Sequence, residues 1–325
     1  MKYESLGKSG LKVSRLVLGT MNFGTYTSKE EAFKIMDAAR DSGINFFDTA
    51  NVYGGDSHGI TEEIIGNWFA LGENRRQKVI LGTKVYGDMS DIDGGPNDDS
   101  LGLSSYKIKR HLDASLKRLQ TDHIDLYQLH HVDRDVTWEE IWGELEKQRI
   151  NGKIEYVGSS NFAAWDLVIA QSTANKRNLL GLISEQHKYN LLCRFPELEV
   201  LPAAKHLGIG IIPYSPLSGG LLGGSALHNA GPRSARQAER IEKHRSQLEE
   251  YSKFCAEIDL GEDVVALAWL LANPSVTSTI IGPRNVEQLN NCIKATEVNL
   301  TEEMMERLDG IFPSLGGQAP EAYAW

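Results

Sequence analysis

The amino-acid sequence predicts an α/β chain folded as a single (β/α)8 TIM barrel over residues 1–325, and three observations carry that expectation. Eight short apolar runs alternate from end to end with longer amphipathic stretches. The runs are nearly continuous in apolar residues, the pattern of strands in a parallel sheet covered on its outer face. An open doubly wound sheet would satisfy both points, but it should carry GxGxxG at its first strand-to-helix turn, where this chain reads MNFGTYTS. Eight βα units in roughly 300 residues match the closed barrel instead.

The strand candidates are RLVLGT (15–20), INFFDTA (44–50), KVILGTK (78–84), HIDLYQLHH (123–131), IEYVGSS (154–160), GLISEQH (181–187), GIGIIPYS (208–215) and VTSTIIG (276–282). After the first, KEEAFKIMDAARDSG places Ala32, Ile35, Met36 and Ala39 at spacings of three and four and closes on Gly43, a C-cap residue. SSYKIKRHLDASLKRLQTD repeats that spacing with Ile108, Leu112, Leu116 and Leu119 behind a Ser104 or Ser105 cap. TWEEIWGELEKQRINGK opens with Thr137 and Glu140 in capping-box spacing and stops at Gly152. NVEQLNNCIKA and TEEMMERLDGIF read as the last two helices. The charged segment 225–254, after strand seven, reads as a solvated helix, with a lid over the site as the alternative. No linker rich in Pro, Gly or Ser divides the chain.

Charge and cysteine usage narrow the function. A net charge of −10 disfavours phosphate backbones and anionic membrane surfaces, so neither nucleic acid nor membrane is an expected partner. No run approaches the ~18 apolar residues of a spanning helix, and the charged N-terminus lacks an apolar signal core, so a cytoplasmic location is expected. Cys193, Cys255 and Cys292 are far apart with no CxxC, which argues against a disulfide framework or a zinc cluster; no metal is expected. Nothing in the sequence specifies an oligomeric state.

In such a barrel the chemistry sits at the C-terminal ends of the strands. Those ends hold Asp48 and Tyr53, Lys84, His130 and His131, Ser159 to Asn161, Glu185 and Gln186, and Tyr214 and Ser215. An ionisable residue closing an apolar strand is costly unless paired, and Asp48, Tyr53, Lys84 and His130 could satisfy one another. A neighbouring ammonium lowers a phenol's pKa from near 10, so Lys84 is expected to tune Tyr53, Asp48 to balance Lys84, and His130 to hydrogen-bond a substrate oxygen. The group has the chemistry of an acid–base catalyst for carbonyl reduction, the hydride coming from a cofactor. Alternation along a strand points neighbours to opposite faces, so only one of His130 and His131 is expected to look into the mouth. Gly55 to Gly59 match GxSxG, but the intervening loop after strand two argues against a hydrolase elbow.

NFFDTANVYG, LGTK, DLYQLHH, VGSSNF, IPYSPLSGGLL and IIGPRNVEQLNN stand in the order and spacing of the aldo-keto reductases, and the chain resembles that superfamily over essentially its whole length. VSRLVLGTMNFG and APEAYAW are similar to its bacterial branch, which also resembles potassium-channel β-subunits. The resemblance implies an NADPH-dependent reductase of small aldehydes and ketones, with an N-terminal hairpin capping the barrel bottom and extra helices. It makes Tyr53 the general acid, with Asp48, Lys84 and His130 beside it. It assigns the nicotinamide carboxamide to Ser160, Asn161 and Gln186, ring stacking to Tyr214, and the pyrophosphate to Ser215, Leu217, Gly219, Gly220 and Leu221. Gly282, Arg284, Gln288 and Asn291 fall at the adenosine end, and Gly19, Thr20 and Met21 join Asp48 in the cofactor set. Arg284 can form a bidentate phosphate contact, which favours NADPH and leaves NADH the weaker alternative. Phe23, Tyr26, Tyr86, Met89 and Trp325 are expected to line an apolar mouth. The alternative function is a cofactor-binding regulatory or scaffold protein with slow turnover.

Overall fold

The structure is a computed structural model that describes residues 1–93, 101–224, 226–227 and 237–316. The chain opens with an antiparallel hairpin, β1 (Tyr3–Ser5) and β2 (Lys12–Ser14), in which Tyr3 pairs with Ser14 and Ser5 with Lys12. Its turn touches the barrel at Gly7, whose φ is +57° and where a Cβ would lie 2.5 Å from the Ile183 carbonyl oxygen. Only glycine fits there. Leu6 and Val13, both fully buried, pack with Val17, Phe46, Leu126 and Ile212, so the hairpin plugs the lower end of the barrel.

Eight parallel strands follow: β3 (Leu16–Gly19), β4 (Phe46–Asp48), β5 (Ile80–Val85), β6 (Ile124–Leu129), β7 (Ile154–Ser160), β8 (Leu182–Gln186), β9 (Gly210–Ile211) and β10 (Thr279–Ile281). All eight expected strands form. They lie in the order β10-β3-β4-β5-β6-β7-β8-β9, every neighbouring pair parallel. Thr277 N–H donates to the Ile211 carbonyl at 2.9 Å and Ile280 N–H to the Pro213 carbonyl at 3.0 Å, joining the last strand back to β9 and closing the barrel. Strands this short need both faces covered, and the helices supply the outer layer. Helix Lys29–Asp41 buries Ala32, Ile35, Met36 and Ala39, as their spacing predicts, and helix Ser105–Leu119 buries Ile108, Leu112 and Leu119 and leaves Leu116 half-buried. Ser28, Ser104, Thr137, Asn285 and Thr301 each cap a helix by accepting from the N–H three residues on, about 1 kcal/mol apiece.

Above the plug the barrel interior turns polar, and small residues make room for it. Gln128 crosses the interior beside Gly158, where a Cβ would collide with Ser184 Oγ and lie 3.2 Å from Gln128 Cγ. Among the described residues no helix is long and apolar enough to cross a membrane.

Candidate active site

The first turn after β4 and the ends of β5, β6 and β8 meet above that polar layer. Asp48 closes β4 inside the barrel, 2 % exposed, and side chains 36, 80 and 138 positions further along the chain converge on it. Lys84 Nζ donates to Asp48 Oδ2 at 2.6 Å, while Gln128 Nε2 and Gln186 Nε2 donate to Oδ1 at 2.8 and 2.9 Å. The fully buried Lys84 ammonium has three protons, and it directs them at Asp48, at the Thr49 carbonyl (2.8 Å) and at the Tyr53 hydroxyl (3.1 Å). Accepting that last bond leaves the Tyr53 O–H to donate toward the cavity that Tyr53 lines.

Electrostatics correct one expectation. Burial pushes the Tyr53 phenol upward, Lys84 pulls it back, Asp48 pushes it up again, and the net shift is upward. Tyr53 is therefore a protonated donor at neutral pH. For Lys84, burial works against the ammonium, but Asp48 and Tyr53 outweigh it and raise its pKa, so the lysine stays charged. His130 packs edge-on against Tyr53 with ring centroids 5.9 Å apart. Burial, then Lys84, then His131 push its pKa down to about 2, which keeps the imidazole neutral.

Strand alternation does not separate the doubled histidine. β6 ends at Leu129, so His130 and His131 lie beyond the pleat that would have turned them to opposite faces. Their rings stack at 5.3 Å with an interplanar angle of 18°, Tyr86 meets His131 edge-on at 5.2 Å, and both histidines line the same cavity.

A second group adjoins the first. Ser160 Oγ and Asn161 N–H both donate to the Gln186 carbonyl, at 2.9 and 3.1 Å. Asn161, at φ +63°, donates through Nδ2 to the His130 carbonyl at 3.1 Å and accepts from Tyr214 OH at 2.8 Å. Tyr214, Asn161, His130, Gln186 and Asp48 are thus mechanically one unit.

The cavity over this unit has a volume of about 520 Å3 and runs from Asp48 and Tyr53 out to Arg284 and Gln288. Gly19, Thr20, Met21, Ser160, Asn161, Gln186, Tyr214, Ser215, Leu217, Gly219, Gly220 and Gly282 line it. Lys84 stands behind Tyr53, and the buried Leu221 lies outside the lining. Asn291 also lies outside it, turned to donate to Asp263 Oδ2 at 2.6 Å. Sequence reasoning missed Asn22, Asp263 and Cys292, which do line the cavity, and Gln128, which holds Asp48 from below. A polar residue at an inward strand position was the available signal for Gln128.

The lining suits a dinucleotide with phosphates. Gly220 lines the cavity at φ +104°, backbone that favours glycine, and a Cβ there would meet no protein atom within 4 Å. Arg284 is exposed at the outer rim and makes no ion pair among the described residues. Ahead of helix Ala238–Lys243, Gln237 Nε2 donates to the Gly219 carbonyl at 2.8 Å, and from within that helix Arg240 Nη2 donates to Ser218 Oγ at 2.9 Å. The charged segment therefore touches the glycine loop at Gln237 and Arg240, while helix Arg245–Glu257 buries Leu248, Tyr251 and Phe254 in the core rather than standing wholly in solvent; positions 225 and 228–236 lie outside the described residues. Of the residues expected at an apolar mouth, Tyr86 packs edge-on against His131 and is not itself in the cavity lining. Phe23 and Met89 are fully buried in packing, Tyr26 lines a separate cleft, and Trp325 lies outside the described residues. Ser57 of the GxSxG match is exposed in the loop between β4 and helix Ile60–Phe69, as a turn residue.

Residues 15–312 match the model of the aldo/keto reductase family. The chain belongs to that family. It is 60 % identical, over all of both chains, to the uncharacterized oxidoreductase YrpG of Bacillus subtilis. It is 33 % identical over 99 % of its length, and all of the relative's, to a probable voltage-gated potassium channel subunit beta of Arabidopsis thaliana. Versiconal hemiacetal acetate reductase of Aspergillus parasiticus matches at 31 % identity over 95 % of this chain and 96 % of its own. This aldo/keto reductase is accordingly an oxidoreductase, and the strand-end residues above are the part of the barrel that can carry such chemistry.

Proposed function

We propose that this aldo/keto reductase reduces small aldehydes and ketones to alcohols with NADPH, Tyr53 acting as the general acid. The observation that carries the reading is the Asp48–Lys84–Tyr53 chain, which starts at two buried charges and ends in a phenol on the cavity wall. A bound reduced nicotinamide supplies the hydride that reaches the carbonyl carbon. Tyr53 gives its proton to the carbonyl oxygen as the C=O π bond becomes a C–H and an O–H bond. Lys84, held charged by Asp48, stabilises the phenolate left behind until solvent returns the proton. Neutral His130 hydrogen-bonds the same oxygen and orients it. Ser160, Asn161 and Gln186 would hold the carboxamide, Tyr214 the ring face, the Gly219–Gly220 loop the pyrophosphate, and Arg284 the 2′-phosphate.

The test is the loss of nicotinamide absorbance with an activated aromatic aldehyde, run beside Tyr53→Phe and repeated with NADH. Turnover about 10²–10⁴-fold slower in Tyr53→Phe, with NADPH preferred, is the expected result. The relative named as a channel subunit favours one second reading, a cofactor-binding scaffold. Tight NADPH binding without turnover of any carbonyl tried would support that reading and overturn ours.

A further inference from the structure

Behind the loop that carries Tyr53 lies a buried polar group that the chemistry above leaves unused. Asn51 and His111 are both fully buried, neither lines the cavity, and the Asn51 amide meets His111 Nδ1 at 3.1 Å. His111 belongs to helix Ser105–Leu119, so the contact ties the loop after β4 to the outer layer. On the other side of the ring, Arg110 Nη2 stands 3.1 Å from His111 Nε2. A guanidinium keeps its protons near neutrality, so Arg110 donates and Nε2 accepts. Burial, then Lys107, Arg110 and Arg118, push the His111 pKa down to about 3, so the ring is neutral and its one proton sits on Nδ1. Asp93 Oδ2, at 3.9 Å, is beyond hydrogen-bond reach. The acceptor for Nδ1–H is therefore the Asn51 oxygen, which is buried without a partner while the amide nitrogen faces His111 and gains one when the amide turns half a revolution.

Backbone contacts alone place this loop weakly. Thr49 N–H donates to the Gly82 carbonyl at 2.8 Å, but the next tie to the barrel, Asn51 N–H to the Lys84 carbonyl, is stretched to 3.4 Å. Tyr53 N–H then donates to the Ala50 carbonyl at 3.2 Å, closing a four-residue turn that has Asn51 at its second position and Tyr53 at its fourth. An anchored side chain at the second position sets the tilt of the turn, and with it where the phenol stands. We infer that His111 is a positioning residue for the reaction, holding Asn51 and, through the turn Ala50 to Tyr53, the Tyr53 hydroxyl at the cavity wall; this rests on the reading of Tyr53 as the general acid. Misplacing a reacting group by about 1 Å can cost roughly 10²-fold in rate, so the anchor matters to turnover although it touches no ligand.

The test is steady-state carbonyl reduction and direct NADPH titration of His111→Ala, Asn51→Ala and the double variant in the full chain. The control is Leu112→Ala, which opens a cavity at a fully buried apolar neighbour on the same helix. Each polar single variant should lose about tenfold to a hundredfold in kcat, with the KM for the aldehyde and the Kd for NADPH within about twofold of the parent's. The double variant should be no slower than the slower single, because both substitutions remove one bond. Leu112→Ala should lower the unfolding midpoint and keep the kcat of the folded fraction within about twofold. Should His111→Ala fail to fold, His111→Phe fills the same space without the bond, and the same loss of kcat is expected. A His111 variant within about twofold of the parent in kcat overturns the inference. So do losses that multiply in the double variant, an equal loss of kcat in Leu112→Ala, or a matching rise in the Kd for NADPH, and all four leave the general-acid reading standing. A parent that turns over no carbonyl overturns that reading and this inference together.

Discussion

The two ends of the cavity are built by opposite means. At the inner end Asp48, Lys84, Gln128 and Gln186 are 3 % exposed or less, and each polar contact is made by another strand of the barrel. At the outer end Gly282, Arg284 and Gln288 are exposed; Arg284 and Gln288 are joined locally, Gln288 Oε1 accepting from Arg284 N–H at 2.9 Å, and a long-range strap runs from Asn22 Nδ2 to the Gly282 carbonyl at 2.8 Å. Buried charge tolerates one arrangement, because every lost partner leaves another group stranded in low dielectric. Exposed charge tolerates many, because water replaces what is removed. The inner end should therefore govern rate and folding together, and the outer end affinity alone.

The strongest way to break this contrast is Lys84→Met, which leaves Asp48 charged and short of its main partner. Turnover should vanish, and unfolding by denaturant should show a loss of about 3–5 kcal/mol. A folded, fully stable Lys84→Met protein would mean that the two glutamines alone support the carboxylate. Tyr53→Phe sharpens the same end by separating chemistry from stability. It should cost about 10²–10⁴ in kcat, with a stability change near 1 kcal/mol because one hydrogen bond is lost. At the outer end, Arg284→Ala should raise the Kd for NADPH about tenfold to a hundredfold through one lost charge-assisted contact. Its kcat and its affinity for NADH should stay near the parent's, and an equal loss with both cofactors would place the 2′-phosphate elsewhere.

Mild acid acts gradually rather than by removing a partner, and its effect too should arise at the inner end. His130 is pushed down to about 2 and His111, buried behind the Tyr53 loop with its Nδ1 3.1 Å from Asn51 Nδ2, down to about 3, in both cases chiefly by burial. The unfolded chain takes up these protons near pH 6.5 and the folded chain does not. Stability is therefore complete above pH 6.5 and lost as pH falls toward 3, by about 1.4 kcal/mol per histidine one unit below 6.5. Denaturant midpoints measured from pH 7.5 down to about 5 should show this slope, and His111→Gln should flatten it.

Much of the fold was legible because its causes are local. Apolar runs such as KVILGTK and IEYVGSS read as strands since neither face of a parallel barrel strand sees water, and Ser104 and Thr137 read as caps because capping needs only the next three residues. Asp48, Lys84 and His130 were legible because a charge or a ring nitrogen at the end of an apolar run is too costly to bury without a partner nearby. The facing of His131 was not, since it depended on the residue at which β6 stops pairing.

The amino-acid sequence by itself determined the eight-fold alternation, the strand ends that carry polar side chains, and the chemical types gathered there. Tertiary structure decided which of those side chains meet. It turned the Tyr53 phenol upward in pKa although Lys84 adjoins it, it sent Asn291 to Asp263, and it left the Asn22 oxygen without a partner. Burial and long-range pairing set these outcomes: a group's desolvation depends on the whole barrel closing around it, and a carboxylate such as Asp48 chooses among donors brought from 36 to 138 residues away.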